Sequence, residues 1–235
     1  MAQVAERLTA FLAPSQTLES HPTSVDIEFS EDRMMAYFKY GEKELNYLKE
    51  CDPLLGVVIG EVGFIERSVE PDVFRSLISS IISQQISTKA AVTVLGRLED
   101  LLSDMTALNL GALDIEAIKG CGMSLRKAGY IKGICDAVLS GDLDLESLKK
   151  LSDEEVINEL IKLNGIGVWS AEMLMIFAFE RPNVLSYGDL IIKKGIMKLH
   201  GLGELSKKDF EKYRELYTPY GSIASLYLWH IGNSG

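Results

Sequence analysis

Two glycines one residue apart, Gly165 and Gly167, interrupt a stretch of otherwise helical period between residues 153 and 179. The run Leu163-Asn164-Gly165-Ile166-Gly167-Val168-Trp169-Ser170-Ala171 has an apolar helix on each side, so the chain is expected to reverse there as a hairpin. Glycine permits a turn where a Cβ would clash. It also leaves backbone N–H groups exposed at the start of the next helix, where the helix dipole favours an anion such as a phosphate oxygen. Gly-x-Gly alone is a weak signal, and a plain helix–helix turn explains it equally well. Context adds weight: a capped helix before the turn, an amphipathic helix after it, and a lone carboxylate downstream.

That carboxylate is Asp189, in Leu185-Ser186-Tyr187-Gly188-Asp189-Leu190-Ile191-Ile192-Lys193. Arg181-Pro182 stops the second helix of the hairpin, and the return loop can bring Asp189 back beside the turn. An aspartate opening a helix is ordinarily its cap. Capping and catalysis do not exclude one another.

Helix signals dominate elsewhere. Pro71 occupies the expected first turn of a helix whose residues Phe74, Leu77, Ile78, Ile81 and Ile82 keep helical period. Ser87 is expected to cap a helix through Leu102, and Ser124 a helix closed by Gly141. Ser152 with Glu155 predicts a capping box for a helix to Leu163; Ser206 with Asp209 predicts a helix to about Tyr217. Further helices are expected at 167–179, at 189–199 and after Ser222. Strand-like alternation is confined to Val25, Ile27 and Phe29, with Val57–Ile59 ambiguous. The expected fold class is all-α, with a short strand near the N-terminus.

Composition excludes several classes of function. No run of eighteen apolar residues exists to span a membrane. Glu6 and Arg7 break the apolar stretch at the N-terminus, which argues against a signal peptide. Cys51, Cys121 and Cys135 are too few for a metal cluster and odd in number, and His21, His200 and His230 form no ligand pattern. A cytoplasmic protein is expected, nucleoid-associated if bacterial. The net charge is −10, yet Lys119, Arg126, Lys127 and Lys132 fall in 117–135 without an acid. Lys193, Lys194, Lys198, Lys207 and Lys208 in 191–208 face Glu204 alone. Two such segments suit a small footprint on a polyanion, although charge by itself favours ordinary solvated helix faces.

The hairpin and Asp189 together resemble the helix-hairpin-helix DNA glycosylases. Ile81-Ile82-Ser83-Gln84-Gln85-Ile86-Ser87 with Ala90-Ala91 is similar to that family's DNA-penetrating helix junction. Cys121-Gly122-Met123-Ser124-Leu125-Arg126-Lys127-Ala128-Gly129-Tyr130-Ile131 and the run from Tyr217 to Trp229 resemble segments of its alkyladenine branch, DNA-3-methyladenine glycosylase II. Four matches in one order over about 74–230 are more specific than any one of them.

The resemblance implies two helical subdomains flanking a cleft. A barrel would span 76–199 with the hairpin at about 153–179, and a smaller unit would combine 33–75 with 200–235. Residues 1–32 would be an N-terminal extension. It implies a monomer acting on double-stranded DNA that contains a damaged base, without a membrane. Asp189 would be the catalytic carboxylate, with Trp169, Met173, Tyr187 and Trp229 forming the base pocket. Gln84, Gln85, Ser87, Gly165, Gly167, Ser170 and Lys193 would contact DNA, with Gln85 filling the gap left by a flipped base. No cofactor would be required. A structural Na+ or K+ would sit on the main-chain carbonyls of Ile161, Leu163 and Ile166, and no iron–sulfur cluster is expected because no cysteine follows Cys135.

The implied reaction is hydrolysis of the N-glycosidic bond of alkylated purines by a monofunctional enzyme. Alternatives are a glycosylase for oxidised or deaminated bases and a non-catalytic hairpin module in which Asp189 only caps. Relatives usually carry Trp at position 217 and Arg at position 221; this chain has Tyr217 and Gly221.

Overall fold

The computed structural model describes residues 36–234. The alternation at Val25, Ile27 and Phe29 lies outside them, as does the whole extension 1–32. The sheet among the described residues is a two-stranded antiparallel one, with β1 (Ala36–Tyr37) against β2 (Ser68–Val69). Between the strands run α1 (Glu42–Cys51) and α2 (Pro53–Val62). Val57–Ile59 is therefore helical. Asp52 makes the corner: its Oδ1 accepts from the amides of Leu54 and Leu55, and Pro53 takes the first helical position.

Next come α3 (Val73–Ser83), α4 (Thr88–Glu99), α5 (Ala107–Ala112), α6 (Ile115–Gly120), α7 (Leu125–Ser140) and α8 (Leu145–Leu148). The hairpin is α9 (Asp153–Leu160) and α10 (Val168–Phe177). The chain closes with α11 (Leu190–His200), α12 (Lys207–Tyr217) and α13 (Gly221–Asn233). Ser87, Ser124, Ser152 and Ser206 cap as expected, each Oγ accepting from the amide three residues on. Several boundaries differ from expectation: the helix after Ser152 stops at Leu160 rather than Leu163, and the next ends at Phe177 rather than 179. Pro71 lies outside α3, because Asp72 is the cap and accepts from the Arg75 amide at 3.0 Å. The helix after Ser87 stops at Glu99 rather than Leu102.

Helix α3 runs through the core: Leu77, Ile78, Ile81 and Ile82 are buried as it packs on α4, α7 and α10. The most extensive helix pair is α11 with α13. Two glycines set its spacing. A Cβ on Gly195 would collide with the Leu228 carbonyl, and one on Gly232 would collide with that of Ile191. The first two helices also meet the last two, with the Tyr217 hydroxyl donating to Asp52 Oδ2 at 2.7 Å and that of Tyr227 to the Gly63 carbonyl at 2.8 Å.

Part of the positive charge in the two basic segments is spent inside the protein, while Arg126, Lys194, Lys207 and Lys208 stay exposed. Lys119 pairs with Glu116 at 2.8 Å. Lys127 donates to the carbonyls of Ile82 and Gln84, Lys132 to those of Gly111 and Leu113, and Lys198 to those of Ile231 and Ser234. Each of these three lysines closes the C-terminal end of another helix, where carbonyls lack intrahelical partners and the dipole is negative.

Candidate active site

Asp189 is the N-cap of α11, and its whole carboxylate is engaged. Oδ1 accepts from the amides of Ile191 and Ile192, both at 2.9 Å. Oδ2 accepts from the indole N–H of Trp169 at 3.0 Å and of Trp229 at 3.1 Å. The residue is 6% exposed, a depth at which an unpartnered carboxylate would be strongly disfavoured. The cap and the candidate catalytic group are one arrangement. Trp169 reaches it from the second residue of α10, aimed by the hairpin turn. Trp229 reaches it from α13, held by the glycine-mediated contact with α11.

Trp169 also forms one wall of a cavity of about 650 Å³ between α3 and α10. That volume lies within the usual range of small-molecule pockets. Trp169, Met173 and Phe177 line the α10 side at helical spacing. Ser76, Ser79, Ser80 and Ser83 line the α3 side, and Ser79 Oγ is buried without a hydrogen-bond partner among the described residues. Two expected pocket residues lie elsewhere. Trp229 is buried behind the wall, stacked on Phe177 with centroids 5.7 Å apart, so it positions Asp189 rather than facing a guest. Tyr187 packs edge-on against Phe210 at 5.3 Å, under the Lys193 ammonium at 4.7 Å. Lys193 is thereby engaged with a ring.

The rim of the cavity is the α3–α4 turn. Gln85 is exposed and has φ 60°, uncommon for a residue with a side chain. Gln84 points inward, its Nε2 donating to the Gly165 carbonyl at 2.8 Å, which ties this turn to the hairpin. Ser87 Oγ is taken by the Ala90 amide, and Ser170 is buried. The two hairpin glycines differ. Gly165 has φ 91°, and a Cβ there would collide with the Tyr130 ring and come within 2.8 Å of Ile81. Gly167 caps α10 and has open space around it, so only an outside partner could require a bare backbone there. The expectation that both glycines relieve an internal clash holds for Gly165 alone.

Among the described residues no group of His, Cys, Asp and Glu side chains gathers to hold a metal ion. Cys51 is half-buried, and Cys121 and Cys135 are buried. At the end of α9, Leu163 O accepts from the Ile166 amide at 3.1 Å. No backbone amide of the described residues is bonded to the carbonyls of Ile161 or Ile166. Oxygens left open at a helix C-terminus suit a hard cation.

Two features escaped the sequence reading. The serine wall could have been found, because 76, 79, 80 and 83 share one face of a helix. Glu172 on α10 accepts a short hydrogen bond from the Ser186 hydroxyl. Burial pushes its carboxyl above the usual range, outweighing the Ser186 bond and the Arg214 charge.

This geometry has close counterparts. The profile of the HhH-GPD superfamily base excision DNA repair protein matches residues 78–219. The chain belongs to this superfamily. The matched span runs from α3 through α12, so the helix-hairpin-helix member described here has its hairpin, α3–α4 turn and Asp189 inside the family core. It is 31% identical over 211 residues to DNA-3-methyladenine glycosylase 1 of Schizosaccharomyces pombe, covering 88% of this chain and 92% of that protein. The structure of a DNA-3-methyladenine glycosidase from Bacillus halodurans superposes with TM-score 0.76 and 36% identity, covering 85% and 94% of the two chains. The Schizosaccharomyces pombe 3-methyladenine DNA glycosylase in complex with abasic DNA gives TM-score 0.70 and 32% identity over 80% and 95%.

Tyr217 is fully buried and its hydroxyl binds Asp52, whose Oδ2 also lies 3.2 Å from His200 Nε2. At position 221, a Cβ would stand 3.2 Å from Asn183 Oδ1, and the Gly221 amide donates to that same oxygen.

Proposed function

We propose that the chain excises alkylated purines of the 3-methyladenine type from double-stranded DNA, hydrolysing the N-glycosidic bond without cutting the strand. The observation that carries this reading is the shared Trp169. One edge of its indole holds Asp189, while the ring walls a cavity roomy enough for a base. A purine in that cavity would lie beside Trp169, Met173 and Phe177, and an electron-rich wall attracts a cationic base. Such a base is already a good leaving group. The remaining requirement is a fixed negative charge for the sugar cation that develops as the bond breaks, and Asp189 supplies it. Four N–H donors hold the carboxylate in place, so it need not reorganise during the reaction.

Flipping the lesion into the cavity opens a gap in the duplex, and Gln85 at the rim is placed to fill it. The open amides at the start of α10 suit a phosphate, and Gly167 leaves room for its approach. The carbonyls of Ile161, Leu163 and Ile166 would hold a monovalent cation beside that phosphate, adding positive charge. The deciding experiment compares free-base release from methylated and from oxidised DNA side by side. Release from the methylated DNA is expected; preference for the oxidised DNA would reject the substrate class.

A further inference from the structure

Lys127 stands on α7 and reaches across to the end of α3. Its Nζ donates to the carbonyl of Ile82 at 2.7 Å and to that of Gln84 at 2.6 Å. These belong to the C-terminal group of carbonyls that a helix cannot satisfy itself. The next residue is Gln85, in the left-handed region at φ 60° and exposed at the cavity rim. On the other side of the turn Gln84 Nε2 is tied to Gly165 O at 2.8 Å. The turn is therefore gripped from two directions, by an ammonium from α7 and by a carbonyl of the hairpin. Burial also draws the Lys127 ammonium below the usual lysine range. Nothing in the Asp189, Trp169 and Trp229 arrangement involves Lys127.

We infer that Lys127 is a positioning residue for base eversion: it locks the α3–α4 turn so that Gln85 is presented, already in its left-handed conformation, to the gap a departing base leaves. The inference rests on the proposed reading of Gln85 as the gap-filling residue. Without Lys127, two carbonyls lose a charged donor, and the turn must be ordered afresh each time the protein engages DNA. Preorganisation of this kind speeds the step that uses the ordered segment and leaves the bond-breaking step alone.

The test measures two steps on two duplexes. One duplex carries an alkylated purine opposite its normal partner, the other the same lesion in a mismatch, where eversion is already easy. A 2-aminopurine next to the lesion reports eversion by fluorescence, and single-turnover base release reports chemistry. Lys127→Met keeps the aliphatic stem and is expected to slow eversion and release about tenfold on the paired duplex. On the mismatch its rate should stay within about twofold of wild type, and Lys127→Arg should restore most of the loss. Adding Lys127→Met to Gln85→Ala should cost little more than Gln85→Ala alone, because both act through one turn. Should Lys127→Met fail to fold, Lys127→Gln is read on the same pair of duplexes. Equal losses on both duplexes, or none on either, would overturn the role of Lys127. A Gln85→Ala protein that everts paired lesions at the wild-type rate would instead overturn the reading of Gln85, and this inference with it.

Discussion

Trp169 and Trp229, 60 residues apart in sequence, donate to the same oxygen of Asp189 at 3.0 and 3.1 Å. One indole comes from the hairpin and the other from the last helix. The position of the carboxylate is thus fixed by the packing of three helices, while its second oxygen is held by its own helix start.

Asp189→Asn tests the charge. The amide keeps the size and one acceptor oxygen but turns an N–H group toward donors that were previously satisfied. Turnover should fall by two or more orders of magnitude, about 3 kcal/mol or more on the barrier, while DNA affinity changes little. Single-turnover kinetics and a binding titration check this; undiminished turnover would remove Asp189 from the mechanism.

The two hairpin glycines should separate fold from binding. Gly165→Ala places a Cβ against Tyr130 in a backbone region hostile to side chains, and should lower stability by roughly 2–4 kcal/mol. A Cβ at Gly167 meets no protein atom within 4 Å, so Gly167→Val should cost the fold only the modest penalty of a poorer cap, yet affinity for damaged and undamaged duplex should drop together. Affinity lost only on lesion DNA would contradict a phosphate contact at this turn.

Strand cleavage through a covalent intermediate requires an amine at the sugar. The second residue after the hairpin's Gly-x-Gly is Trp169, whose ring nitrogen is a donor without usable nucleophilicity. Lys162 pairs with Glu159 at 2.6 Å and Lys193 lies over Tyr187. Borohydride added during turnover should trap no adduct above background. A trapped complex that disappears on replacing one lysine would refute the hydrolytic mechanism.

Asp52 ties acid stability to position 217. Burial raises its pKa, but the His200 imidazole 3.2 Å away and the hydrogen bond from Tyr217 outweigh that and leave it below the usual carboxylate range. A depressed folded-state pKa gives stability that is present above the unfolded value, about 3.9, and is lost as pH falls through the folded one. Tyr217→Phe should therefore destabilise by about 1–3 kcal/mol at neutral pH, with the difference from wild type shrinking on acidification. Urea unfolding from pH 7 to pH 3 measures it; a gap independent of pH would mean that the Asp52 charge plays no part.

The hairpin, the caps and Asp189 were legible in the sequence because each is local: a glycine pair, a serine three residues before its partner amide, an acid at a helix start. What escaped is long-range. Nothing around Tyr187 or Trp229 tells which side of a helix meets Phe210 and which meets Phe177. Lys127, Lys132 and Lys198 looked like surface charge because their acceptors are main-chain carbonyls, which every residue carries and no sequence pattern marks. The serine wall is the intermediate case, readable as one helix face but without a sign that the face borders a cavity.

Three lysines that close helix ends have a consequence for how this protein searches DNA. Cations engaged with the protein's own carbonyls displace few counterions from a duplex, so these three should add little to the salt dependence of affinity. Against a net charge of −10, undamaged DNA would be held weakly and released quickly. Residence would then be set at the lesion, by what the cavity accepts, more than by the phosphates passed on the way.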